Sequence, residues 1–345
     1  MTNPEASPAS VSRRRVVAGV IGAAVAIALL LWALRGVHIG EVLRQIRQSD
    51  PWPLALGVVL ASITFPIRLV RWRLLLRDEA GGPLKAWPLW HATAIGFMAN
   101  NVLPFRAGEL VRVFAATRLS GVRFTAAMSS VAVERIFDGL AIIGLLGVGL
   151  LTSGLPAGVR VGGVSLARGA QVAGIMSLAA LTLAIAMVAF PDAAERMVRR
   201  VLPGGRLTER LVALIGGIRH GLASLRSPAL LLGVIAWSLA LWLLNALAMW
   251  VSFAAFDIPL GVGGALVLQG VLVLGISVQL TPGFIGQFEA AIVAALGLYG
   301  ISNDLASSYA IAYHGATFIP ITLAGAWSLA RTPVALSDLR GAPSR

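Results

Sequence analysis

The stretch Asn100-Asn101-Val102-Leu103-Pro104-Phe105-Arg106-Ala107-Gly108-Glu109 interrupts an apolar segment that runs from Trp87 to Leu119. Proline removes a backbone donor and stops a helix, while glycine and asparagine favour turns. A second stretch, Gln279-Leu280-Thr281-Pro282-Gly283-Phe284-Ile285-Gly286-Gln287-Phe288-Glu289, interrupts the apolar segment Gly261 to Leu298 in the same manner. Each carries a Pro, a Gly four residues on, and a Glu shortly after. Inside a bilayer, irregular backbone is tolerated only where protein or a cavity surrounds it, and a carboxylate there is costly. Two such breaks in corresponding parts of one chain point to a transporter built from a repeat, with its ligand path at the breaks.

The composition agrees with a membrane protein: 57% of the 345 residues are hydrophobic and 12% are charged, which leaves no room for a sizeable soluble domain. The longest polar stretch, Pro191 to Pro228, is too short and too basic to bury a core of its own. The chain has no cysteine, which excludes disulfides, thiolate chemistry and a Cys-based zinc site. His38, His91 and His220 are scattered without metal spacing, so no metal and no cofactor is expected. The net charge of +13 is carried by arginine, Lys85 being the only lysine. It reads as membrane sidedness rather than nucleic-acid binding.

Apolar runs predict about six spanning helices: Val16 to Leu34, Trp52 to Val70, Phe124 to Leu151, Gln171 to Phe190, Ala229 to Phe253 and Asp304 to Leu329. The first follows Arg13-Arg14-Arg15 and has no small-residue cleavage site after it, so it reads as an uncleaved helix rather than a signal peptide. If each broken segment returns to its own side, 22 basic residues fall on one side and 5 on the other, with Arg135 inside a helix. The positive-inside rule then places both termini in the cytoplasm of a prokaryotic cell with the chain multi-pass in its inner membrane. Two full crossings per broken segment would preserve the same sidedness.

The expected fold class is therefore an all-α polytopic membrane protein with two re-entrant broken hairpins and an inverted repeat. The first repeat is 16–151 and the second 171–330, with a basic cytoplasmic linker at 191–228 and a flexible tail at 331–345. The hairpin tips are expected to meet near the midplane. Ile39, Val42, Leu43 and Ile46 recur at helical spacing and predict an amphipathic helix on the outer interface. Trp72, Trp87, Trp90 and Trp250 read as interface anchors.

These elements resemble the flippase-like transmembrane domain family, the membrane region of lysylphosphatidylglycerol synthases. The matching residues are Arg68-Leu69-Val70-Arg71-Trp72, then Asn100 to Glu109 with Arg112, then Glu134-Arg135 with Asp138, then Pro282-Gly283-Phe284-Ile285-Gly286 with Glu289. The resemblance implies lipid translocation. The tail from Arg331 holds no aminoacyl-transferase domain, so the chain is not expected to lysylate its lipid. The family often carries Tyr-Arg in its last helix, where this chain has Tyr313-His314, a group that is neutral or charged near pH 7.

The expected substrate-binding set is Arg68, Arg71, Asn101, Arg106, Glu109, Arg112, Glu134, Arg135, Asp138, Gly283, Gly286, Glu289 and His314. Arg106 reads as a headgroup contact held by Glu109, or as an arginine snorkelling to the cytoplasm. Glu134 and Asp138 share a helix face, and Arg135 can pair with Asp138 at a spacing of three. This cluster reads either as a structural lock or as part of the site. Glu289, alone in a long apolar stretch, is expected to pair with Arg135 or with an arginine of the first break, or to carry a proton. His314 reads as a helix-packing hydrogen bonder or as a ligand.

No Gly-x-Ser-x-Gly, His-Glu-x-x-His or P-loop occurs, so a non-enzymatic role is expected. The expected function is movement of an anionic lipid or lipid-linked headgroup between leaflets. The rivals are an intramembrane enzyme using Glu109, Glu134 or Glu289, and a scaffold for an envelope glycosyltransferase. Expected partners are membrane lipids and envelope-biosynthesis enzymes, with no nucleic acid.

Overall fold

The computed structural model describes residues 38–155 except 79, residues 190–201 and 228–334, and isolated positions between 160 and 212. The expected span Val16 to Leu34, most of Gln171 to Phe190, most of the basic linker and the end of the tail lie outside the described residues.

Helix α1, Ile39–Gln48, is the amphipathic segment; it buries Val42 and leaves Leu43 outside. Arg44 donates to Glu41 and holds that carboxyl below the ordinary carboxylate range. Helix α2, Pro51–Leu75, starts at Asp50, whose carboxylate accepts from Trp52 N–H at 3.0 Å, with proline in the first turn. It runs beyond the expected end at Val70. Arg71 and Trp72, just past that end, are both 0% exposed. Trp72 is therefore no interface anchor. Its indole N–H donates to Ser130 at 2.9 Å inside the protein.

The first broken segment forms α3, Ala86–Val102, and α4, Ala107–Ser120. Phe105 and Arg106 between them both take left-handed backbone, with φ of 59° and 52°. The two helices fold back on each other so closely that Gly108 lies against the Gly96 carbonyl and Asn100, where any side chain would collide. Helix α5, Phe124–Thr152, follows, then a two-residue antiparallel pair of β1, Arg160–Val161, and β2, Val164–Ser165. Helix α6, Pro191–Val201, opens the basic linker.

Helix α7, Pro228–Phe253, ends in a single 3₁₀ turn, Ala254–Phe256. The second broken segment forms α8, Val262–Gly275, and α9, Gln287–Gly297. Between them, Gly283 and Gly286 have φ of 61° and 82°, which is why glycine stands at both. Helix α10, Asn303–Ala330, closes the described fold and is capped by the Ser302 hydroxyl, which accepts from Leu305 N–H.

Among the described residues the regular structure is thus helical, apart from one short strand pair and an isolated bridge between Arg77 and Pro83. Helices Pro51–Leu75 and Ala229–Phe256 are long and apolar enough to cross a bilayer. Both carry outward apolar residues, Leu56, Val59 and Ile63 on the first and Leu232, Leu239 and Leu243 on the second. Such faces are natural in lipid and unfavourable in water. Helices α5 and α10 are as long but more polar, α5 through Glu134, Arg135 and Asp138, α10 through Asp304, Tyr309, Tyr313 and His314.

Two cores form. One gathers Trp72, Leu89, Ile95, Val113 and Phe137 from α2 to α5, and the other gathers Phe253, Leu268, Ile292, Leu296 and Tyr309 from α7 to α10. The seams between them are reciprocal. Helix α2 packs on α7. Helix α3 packs on α10 as α8 packs on α5, and α2 on α10 as α7 on α5.

Candidate functional site

Helix α5 presents Glu134 and Asp138, four residues apart, toward α2, α4 and α7. Buried carboxylates require paired cations. Arg71 of α2 reaches both: Nη2 lies 2.9 Å from Glu134 Oε1 and Nη1 lies 2.5 Å from Asp138 Oδ1. Arg71 Nη1 also donates to Ser238 of α7 at 3.0 Å, and Trp242 Nε1 donates to Asp138 at 2.9 Å. Arg112 of α4 grips Glu134 with both Nη1 and Nη2 at 3.1 Å, the fork geometry that suits a carboxylate. Its guanidinium stacks 3.7 Å above the Trp72 ring.

Around this enclosed lock lies a more open rim. Arg135 Nη2 sits 3.1 Å from Glu134 and 3.3 Å from Asp138, so the expected spacing-of-three pair forms. Its Nε lies 3.7 Å from Glu109, which Arg106 also approaches at 3.4 Å, again as its spacing suggests. The side chains of Arg106, Glu109 and Arg135 remain about a third exposed, whereas Glu134 is 0% exposed. Arg68 stands apart, its Cζ 5.0 Å from the Phe97 ring and 5.8 Å from the Trp242 ring, with no carboxylate partner among the described residues. Among the described residues, five arginines thus face three carboxylates, an excess of two positive charges.

The two breaks touch beside this cluster. Phe105 N–H donates to the Gln279 carbonyl at 3.1 Å, and Arg106 N–H donates to Gln279 Oε1 at 3.1 Å. Gln279 Nε2 donates to the carbonyls of Asn100 at 2.6 Å and Leu103 at 2.9 Å. Gln287 does comparable work within the second break: Oε1 accepts from Leu280 N–H at 2.9 Å and Nε2 donates to Val278 O at 2.9 Å. Two amide side chains therefore replace helical hydrogen bonds that are lost where the chain breaks. Asn101 donates to Thr322 of α10 at 2.8 Å, and Gly283 lies against the Asn101 carbonyl and the Phe318 ring.

Glu289 does not pair with Arg135 or with an arginine of the first break. Its Oε1 lies 2.6 Å from His314 Nδ1, and its Oε2 accepts from Gly286 N–H at 2.7 Å. The imidazole is nearer because α9 packs on α10, where it also stacks 4.1 Å from Phe288. Among the described residues, no group of three His, Cys, Asp or Glu residues could hold a metal ion.

The structure thus brings the expected residues into two groups. One comprises Arg68, Arg71, Arg106, Glu109, Arg112, Glu134, Arg135 and Asp138, and the other Gly283, Gly286, Glu289 and His314; Asn101 joins the first break to α10. Sequence reading misses Phe97, Ser238, Trp242, Gln279 and Gln287. The two glutamines carried a signal, being amides in apolar sequence beside a break.

This arrangement defines a helical membrane protein with a buried, cation-rich site. The chain belongs to the lysylphosphatidylglycerol synthase TM region family, whose model matches residues 19–325. It is 29% identical over 314 residues to a protein of Haloferax volcanii named glycosyltransferase AglD, the match covering 82% of this chain and 49% of that relative. The chain thus spans about half of that relative's length. Two proteins of Methanothermobacter thermautotrophicus, each named UPF0104 membrane protein, are also similar. One is 26% identical, with 87% of this chain and 88% of the relative covered. The other is 25% identical, with 91% and 92% covered.

Proposed function

We propose that this chain moves an anionic lipid, or a lipid-linked anionic headgroup, between the leaflets of a prokaryotic cytoplasmic membrane. The observation that carries this reading is the excess of two positive charges in a largely buried cluster beside the contact between two helix breaks. A buried excess cation calls for an anion, and broken helices at membrane depth are where transporters place substrates. The reciprocal seams support an inverted repeat, because exchange of the two halves maps α3 on α10 onto α8 on α5. In this reading the headgroup enters the rim formed by Arg106 and Arg135 while its tail stays in lipid. Rocking of one half against the other across the α2 and α7 seam then exposes the site to each leaflet. The chain itself performs no covalent chemistry.

The test is leaflet exchange of labelled lipids in liposomes containing the purified protein. Faster exchange of an anionic lipid than of a neutral one supports the proposal. Exchange no faster than in protein-free liposomes, across a panel of headgroups, refutes it.

A second reading is favoured by one observation: the relative named a glycosyltransferase matches over only half of its length. The domain then serves as a membrane platform for a glycosyltransferase acting on a lipid-linked sugar. Loss of such a partner's activity on deletion, with lipid movement unchanged, would favour it.

A further inference from the structure

Resting on the transport reading, we infer that Arg68 is the cation that contacts a phosphate ester or phosphodiester in the site, while Arg71 and Arg112 only hold its shape. Arg71, Arg106, Arg112 and Arg135 each have a carboxylate partner. Arg68 makes no ion pair or hydrogen bond among the described residues, although it is only 9% exposed. What it has instead is an aromatic clamp. Phe97 of α3 and Trp242 of α7 lie at its guanidinium, and Phe65 braces Phe97 edge-on at 5.2 Å.

Aromatic rings attract the cation but accept few of its five N–H groups. The residual opening lies at those groups. Buried nitrogens without a partner occur in Arg71, Arg106, Arg112 and Arg135, but not in Arg68, so its nitrogens keep contact with open space. A planar fork held by rings and open at its edge suits two oxygens of one phosphate.

The energetics favour a ligand over a structural role. An unpaired buried cation is costly, and two cation–π contacts recover only part of that cost. A purely structural residue at this point would be better apolar. Trp242 ties the clamp to the lock, since its N–H donates to Asp138, which Arg71 also holds. Occupation of Arg68 is thereby linked mechanically to α5.

The experiment is a thermal-shift and native-mass titration of the purified full chain with three probes: dioctanoyl phosphatidylglycerol, dioctanoylglycerol and glycerol phosphate. The unaltered protein should bind the phospholipid and not the phosphate-free lipid. Arg68→Met should weaken phospholipid binding about tenfold or more, the loss expected for a charge-assisted fork, while leaving the melting temperature equal or higher. Arg68→Lys, which keeps the charge and loses the fork, should be intermediate, and it carries the test alone if Arg68→Met does not fold. Unchanged phospholipid affinity in either variant overturns the assignment, as does equal binding of dioctanoylglycerol. Binding of glycerol phosphate as strong as that of the lipid identifies a soluble ester as the ligand and keeps Arg68 as its contact. Failure of the unaltered protein to exchange lipid, with Arg68-dependent binding intact, would sink the transport reading and leave this site standing.

Discussion

Glu289 and His314 meet at 2.6 Å, and each occupies the same place in its helix as a residue of the charged cluster. Glu289 is the third residue of α9 and Glu109 the third of α4. His314 is the twelfth residue of α10 and Arg135 the twelfth of α5. Arg135 in turn lies 3.7 Å from Glu109. Each break therefore sends a carboxylate to a basic group on the next helix. In the first half that group is permanently charged, and in the second it is an imidazole.

This equivalence makes Glu289 and His314 a unit. In the transport reading, Glu289→Gln and His314→Gln should each slow anionic-lipid exchange by about tenfold, with normal expression, because each weakens the charge-assisted Glu289–His314 contact, and a charged hydrogen bond is worth ~1.5–3 kcal/mol. The double variant should be no slower than Glu289→Gln alone, which already weakens the shared contact and the Gly286 cap. His314→Arg should keep activity. Liposome exchange rates of the four variants check this, and full additivity would show that the two residues act separately.

The lock beneath Arg135 should behave differently. Arg71→Ala leaves Glu134 and Asp138 short of a cation in a fully buried setting, and should cost about 3–5 kcal/mol of stability. Arg135→Gln, at the partly exposed rim, should cost about 1 kcal/mol or less. Melting of the detergent-purified variants will rank them, and equal losses would remove the distinction between lock and rim.

The joint between the breaks rests on one side chain. Gln279→Ala removes bonds to Asn100, Leu103 and Arg106, and should destabilise by about 2–3 kcal/mol. Gly108→Ala forces a methyl group against the Gly96 carbonyl and should cost about 1–3 kcal/mol. Both should raise proteolysis at the first break. Wild-type melting in Gln279→Ala would mean that the backbone contact at Phe105 suffices.

How far the sequence carries can be seen from these residues. The breaks were legible because proline and glycine act locally, Arg135 with Asp138 because their spacing alone puts them on one helix face, and Arg106 with Glu109 because they stand three residues apart beside a break. Among the described helices, ends were legible to within a few residues, except at α2, which runs to Leu75 rather than Val70. What was hidden depends on which helix lies beside which. Arg71 and Trp72 turn inward because α5 offers Asp138 and Ser130. Glu289 chose His314 over an arginine because α9 packs on α10. No local rule contains either fact.

The sidedness expected from the basic residues can be tested directly. In this cysteine-free chain, single cysteines at Ala80 and Ala193 should react with an impermeant reagent only after the cells are opened, and one at Gln48 should react from outside intact cells. Ready labelling at Ala193 from outside would reverse the topology.

The reciprocal seams also bear on how the chain assembles. Each core borrows from the other half, Val234 of α7 in the first and Leu54 of α2 against the second, and each broken pair is covered by the last helix of the other half: α3 by α10, α8 by α5. A gene cut between 201 and 228 should yield fragments that are degraded when made singly and that reconstitute when made together, because each supplies the wall the other lacks.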